Sequence, residues 1–238
     1  MNQYVPWKSI STEADRAAYD DRLRQFMLQV YNYMTVALAI SGAVAFGVYS
    51  IPALSAAIWG TGLKWVVVFL PLVMSFGFAF LFEKMSAQTA KIALLVFAGA
   101  MGLSLSSIFL IYKMGSIAQV FFISAATFGA ASLYGYTTKK DLTTFGSFLI
   151  MGVLGLVVAG VVNLFLQSSV FAFVISCIAV LIFTALTAYD TQTLKSTFDG
   201  TEGEDREKAG VFGALQLYLD FINIFLNLLQ LLGDKKND

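Results

Sequence analysis

The chain has 238 residues, of which 58% are hydrophobic and 15% aromatic, while only 13% are charged. A soluble domain carries about 25% charged residues, and fifteen cations against fifteen anions leave no basic field for nucleic acid. Histidine is absent and Cys177 is the single cysteine, so His-based bases, His relays and an intrachain disulfide are all excluded.

A bilayer core about 30 Å thick takes roughly 20 apolar helical residues. Residues 1–24 are mixed in charge and read as a cytoplasmic N-terminal tail, because the apolar stretch begins too late and runs too long for a signal peptide. No charge occurs between Arg24 and Lys64, which predicts a first span over 25–47, then a short apolar loop containing Pro52 and Gly60. The second span is expected over 64–82, the third over 90–112 and the fourth over 116–137. Leu142 to Tyr189 is uncharged and too long for one helix; a break at Gln167-Ser168-Ser169 gives spans over 143–166 and 170–193. A polar hairpin lies around 196–209, its acidic stretch Asp199 to Glu207 expected to be a flexible solvated loop, and the seventh span covers 210–232, interrupted only by Asp220. The runs do not alternate as the strands of a transmembrane barrel would. The chain therefore reads as an all-α membrane protein with seven transmembrane helices, a transmembrane domain over 25–233 and a short C-terminal tail over 234–238.

Lysine and arginine bias sets orientation. The tail and the loops on its side hold Lys8, Arg16, Arg22, Arg24, Lys84, Lys91, Lys139, Lys140, Lys195, Arg206 and Lys208. The opposite side holds only Lys64, Lys113, Lys235 and Lys236. The N-terminus is expected in the cytoplasm. Small residues within the spans (Gly42, Gly99, Gly102, Ala126, Ala130, Gly152 and Gly155) are expected to allow close helix packing.

Asp220 lies about 15 Å into the last span at 1.5 Å per residue, where an aspartate costs about 2.5–3.5 kcal/mol. Water, a partner or protonation must offset that. Gln216, Asp220, Asn223, Asn227 and Gln230 follow a helical spacing and form one polar stripe. Such a stripe is expected to face the bundle interior, either lining a pore or making interhelical hydrogen bonds. Asp190 sits near the end of the sixth span with Thr184, Thr187 and Thr191 on roughly the same side. Solvating a helix end and pairing with Asp220 are both open roles for it. If the two carboxylates meet, they cannot easily both ionise, so the pair holds a proton and makes a proton sensor. Ionised, it offers hard oxygens suited to Ca²⁺. Lys84 is the candidate basic partner. No phosphate loop, Cys/His cluster or nucleophile elbow is present, and an enzyme is not expected.

The segments Ser132-Leu-Tyr-Gly-Tyr-Thr-Thr-Lys-Lys-Asp-Leu142 and Gly146-Ser-Phe-Leu-Ile-Met-Gly152, with Thr187-Ala-Tyr-Asp-Thr-Gln192 and Ala214-Leu-Gln-Leu-Tyr-Leu-Asp-Phe-Ile-Asn223, resemble the bacterial branch of the Bax inhibitor-1 (YccA-type) family. The resemblance covers nearly everything after residue 20. It implies six helices wrapped around a central seventh, in a multi-pass protein of the bacterial inner membrane. It also implies a pH-sensitive Ca²⁺ leak with Asp190 and Asp220 as the sensor, with protons and Ca²⁺ as the ions handled and no resident cofactor. Bacterial relatives are linked to the membrane protease FtsH, so a non-transporting regulator that binds such a protease is the alternative. Several members carry a Gly-Pro pair late in the third helix, where this chain has Met101-Gly-Leu-Ser-Leu-Ser-Ser107.

Overall fold

Thr12 starts the first helix by accepting a hydrogen bond from the Asp15 N–H at 3.1 Å, with Glu13 and Asp15 in the first turn where the helix dipole favours acids. The computed structural model describes residues 12–236, so the first eleven residues of the expected tail and residues 237–238 of the C-terminal one lie outside the described residues. The helix, α1 (Glu13–Ser50), runs without a break from the expected tail into the first span. The tail is thus helical from Glu13 onward, because a capped start and uninterrupted helix formers give the chain no reason to stop at Arg24. Its buried residues, from Leu23 through Phe26, Val30, Met34, Ala37 and Ser41 to Val48, recur every three or four positions and form one core-facing stripe.

The expected apolar loop is instead α2 (Pro52–Trp59), since Pro52 fits the first helical turn, where its missing N–H has no partner to lose. It meets α3 (Leu63–Leu81) at a bend of 81°. The third span is α4 (Ala87–Leu105) followed by the short α5 (Ile108–Ile111) rather than one continuous helix. Ser106 and Ser107 break it, their hydroxyls turning back to the Leu103 and Ser104 carbonyls. Then come α6 (Met114–Thr137), α7 (Thr143–Leu166), α8 (Ser169–Gly200) and α9 (Gly203–Leu232). The α7–α8 break falls where the sequence places it: Gln167 adopts the left-handed conformation, and Ser168 caps α8 by accepting from the Phe171 N–H. Before α7, the Asp141 carboxylate accepts from the Thr143 N–H at 2.9 Å and its hydroxyl at 2.5 Å, which hold Asp141 below the usual carboxylate range.

Among the described residues six helices are long and apolar enough to cross a bilayer, and the count is seven if the bent α2–α3 pair is one broken span rather than a re-entrant loop. The protein is an all-α multi-pass membrane bundle. Its most buried helix is α9, packed against α1, α4, α6 and α8, while α3 leans on α4 and α7 on α8. Basic residues sort to the two ends of the bundle as the alternating spans require. Lys91, Lys195 and Arg206 lie with the α1 start at one end, and Lys113 and Lys236 lie with the α1 finish at the other.

The acidic hairpin is ordered rather than a solvated loop. It lies within α8, α9 and a tight turn at Thr201-Glu202, and its acids bind neighbouring helix starts. Asp199 accepts from the Tyr19 hydroxyl at 2.6 Å, Glu204 from the Ala87 N–H at 3.1 Å, and Glu207 pairs with Lys91. Arg206 closes the turn, its guanidinium donating to the Phe198 carbonyl at 3.1 Å and to Thr201 O, and stacking 4.1 Å from the Phe198 ring. Loss of these charge-assisted bonds is worth about 1.5 kcal/mol. Arg206→Ala is expected to lower the melting temperature and speed amide exchange over 196–204; wild-type exchange there would remove Arg206 as the clasp.

Only some of the small residues serve close packing. A Cβ on Gly102 would lie 2.7 Å from Ser41 O, and one on Gly152 would lie 2.8 Å from Ile182 Cδ1. Gly42, Gly99 and Gly155 have nothing within 4 Å of that position, and Ala126 and Ala130 are exposed. The tightest approach to another helix's backbone is at Gly135, where a Cβ would lie 2.1 Å from Ala188 O.

Candidate functional site

The two intramembrane aspartates belong to the α8–α9 hairpin, the most extensive helix pairing in the bundle. Gly213 sets its register. A Cβ there would lie 2.1 Å from Leu194 Cδ2, so the Leu194 side chain seats on the bare α9 backbone. That register brings α8 residues Thr187 and Asp190 alongside Asp220 of α9. The Asp190 and Asp220 side chains face one another, and Asp220 also faces Thr187. Asp190 is 9% exposed, Asp220 5%, and Thr187 and Thr191 are fully enclosed.

The polar capacity of this pocket is not used up. Asp220 Oδ2 is buried without a hydrogen-bond partner, as is the nearby Thr184 hydroxyl. Two buried carboxylates side by side cannot both carry charge unless a cation or water joins them. Lys84 does not supply that charge: it is exposed at the end of a single helical turn after α3, with no ion pair to either aspartate among the described residues. The side chain of the preceding Glu83 lies outside the described residues. Nor does any cluster of three acidic, cysteine or histidine side chains form among the described residues. Two carboxylates and a hydroxyl fall short of the 6–8 oxygens around Ca²⁺.

The polar stripe of α9 is not the helix's innermost face. Gln216, Asn223 and Asn227 are half-buried and Gln230 is exposed, whereas Leu217, Tyr218, Ile224 and Leu229 are almost fully enclosed. Asn223 and Asn227 donate back to their own helix, to Leu219 O and Asn223 O, each at 2.8 Å. Apolar side chains gain more from tight helix packing than amides do, so they take the enclosed side. The stripe lies on the less covered one, with Asp220 at the edge that α8 covers.

Two hydroxyl networks flank the site and escape notice in the sequence. Tyr31 of α1 bonds Ser132 of α6, which bonds Thr191 of α8 at 3.0 Å, and Thr191 donates to Thr187 O at 2.7 Å. A cavity of about 480 Å³ lined by Arg24, Tyr31 and Ser132 opens beside it. Deeper in the core, Tyr218 meets Ser41 at 2.7 Å, and the Ser41 hydroxyl also reaches Ala98 O. The available signal was a tyrosine in mid-span, away from the interfacial belt where tyrosine is usually found.

Comparison with known proteins gives a consistent result. The family profile described as "Inhibitor of apoptosis-promoting Bax1" matches residues 23–237. The Rickettsia prowazekii protein RP147 is 43% identical over 232 residues, covering 97% of this chain and 98% of the relative. A Caulobacter vibrioides protein is also 43% identical, over 250 residues, covering 99% of this chain and all of the relative. The inner membrane protein YbhL of Escherichia coli K12 is 38% identical over 218 residues, covering 90% of this chain and 93% of YbhL.

Proposed function

The chain belongs to the Bax inhibitor-1 family, and from that premise we propose that it is a pH-sensitive Ca²⁺ leak channel of a bacterial inner membrane, gated by the Asp190–Asp220 pair. The observation that carries this reading is the pair itself: two enclosed carboxylates on adjacent helices, one with an oxygen left unpartnered. Intramembrane carboxylates are costly and mark ion or proton sites. Holding one proton, the pair is a short-range clasp between α8 and α9; losing it leaves two anions face to face in a poorly solvated site, which pushes the helices apart. That is a two-state element with a local charge switch.

The half-covered stripe of Gln216, Asn223, Asn227 and Gln230 supplies the polar wall of the ion path, with Thr187 beside the gate. The membrane is taken from YbhL, the cytoplasmic N-terminus from the basic bias, and the six-around-one arrangement from the enclosure of α9.

The test is Ca²⁺ entry into dye-loaded liposomes carrying the purified protein, stepped from acid to alkaline pH. Flux above that of empty liposomes, rising with pH, is expected. Its absence from folded protein would favour the second reading, a regulator docking on a membrane protease such as FtsH. The exposed first turns of α1 offer that reading a handle, and trimming them would then weaken co-purification of the protease.

A further inference from the structure

A second cavity, of about 330 Å³, lies between α1, α5, α6 and α9, on the other side of α9 from the stripe. Ser41, Gly42, Phe46, Phe109, Ala118 and Ile222 are among the residues that line it. Ser41 is its only polar side chain, and that hydroxyl is already bonded to Ala37 O, Ala98 O and Tyr218. Water in a cavity needs two to four polar partners, and none is offered here. Phe46 of α1 and Met114 and Phe122 of α6, which also line the cavity, are exposed on the outer surface of the bundle. One end of the cavity is aromatic and basic. Tyr49 stacks on Phe109 with 5.4 Å between ring centroids. Lys236 donates to the Tyr49 hydroxyl at 3.1 Å and to Phe109 O at 2.7 Å, and the exposed Lys113 caps α6 directly before Met114. Lys235 adds to this charge, and Asp234 is the one acid at that end among the described residues.

We propose that this crevice binds one acyl chain of an anionic glycerophospholipid, with the lipid phosphate held against Lys113 and Lys236. A helix is about 10 Å across and does not enter such a slot, whereas an acyl chain does. At about 30 Å³ per methylene-sized unit, the volume of a liquid water, the cavity takes roughly ten of them. An acyl chain is as comfortable in lipid as in an apolar slot, so selectivity comes from the headgroup. Tyrosine and lysine at an interface are suited to hold an anionic headgroup. The chain would wedge α1 from α6 and rest on α9 at Ile222.

Purified full-length protein, exchanged into detergent with phosphatidylglycerol or with phosphatidylcholine, can be read by native mass spectrometry. One retained phosphatidylglycerol per chain is expected, preferred roughly tenfold over phosphatidylcholine. Ala118→Phe and Gly42→Leu fill the slot, and Gly42 has open space at its Cβ position. Each is expected to reduce retention of both lipids about tenfold with an unchanged melting temperature. Lys113→Gln combined with Lys236→Gln is expected to erase the headgroup preference while a chain is still retained. Wild-type retention in both slot-filling variants, or no headgroup preference in the wild type, would overturn the proposal. Should Ala118→Phe fail to fold, Gly42→Leu and the lysine pair decide it.

Discussion

Asp220→Asn is expected to flatten the pH profile of Ca²⁺ flux and to hold flux low at every pH. The Asn amide donates to Asp190 whether the medium is acid or alkaline, so the clasp between α8 and α9 no longer depends on a proton. Under the proposed gating the wild type depends on pH: the singly protonated pair would be joined by a charge-assisted hydrogen bond, and loss of the last proton would open it by repulsion. A coupling of about 1–3 kcal/mol between such a switch and its output corresponds to about 5–150-fold in flux across the transition. Asp190→Asn is expected to behave in the same way, because the clasp is shared. Asp220→Ala, which removes the clasp without replacing it, is expected to leave flux raised and independent of pH. A wild-type pH profile in Asp220→Asn would sink the gating role of the pair. The isosteric change leaves packing intact, so misfolding does not confuse the result.

The second large effect is structural. Gly135→Val places a Cβ 2.1 Å from Ala188 O and 2.8 Å from Ala188 C and Cα, all of them backbone atoms that cannot rotate aside. Overpacking of this kind costs about 1–3 kcal/mol, and more where backbone must move. The expected outcome is a clear fall in melting temperature. Because Ala188 lies between Thr187 and Asp190, a shift in the pH profile of whatever protein does fold is expected as well. Gly155→Ala is the control. It has open space at its Cβ position, so it is expected to be neutral or to gain up to about 1 kcal/mol from helix propensity. Equal melting of Gly135→Val and wild type would mean that α6 and α8 do not meet backbone to backbone.

Much of this protein can be read without its tertiary structure, and the bilayer is the reason. Lipid satisfies no backbone polar group, so each crossing segment must be helical and apolar along its length. The uncharged run from Leu142 to Tyr189 therefore divides where Gln167-Ser168-Ser169 interrupts it, and the helices end at Leu166 and restart at Ser169. The same economy makes Asp220 conspicuous: a carboxylate deep in a span has few explanations. Local chemistry outside the spans was harder to read. Pro52 signals a loop as readily as a helix start, and the acids from Asp199 to Glu207 look solvated until Tyr19, Ala87 and Lys91 are placed beside them.

The tertiary structure decided what no periodicity encodes: the register between helices and the face each one buries. Counting residues from the hairpin turn puts Asp190 and Asp220 at different distances along their helices. They come together where the two helices pack, with the Leu194 side chain against the bare α9 backbone at Gly213. The α9 stripe is regular in sequence, yet the larger packing gain of Leu217, Tyr218 and Ile224 puts it on the less covered side. Lys84 stays exposed at the end of the short helical turn that follows α3. Composition and spacing thus determined which segments are long and apolar enough to cross a membrane and which carboxylate is buried deep within one. Helix-against-helix packing, with steric fits at single glycines, determined which groups that carboxylate meets.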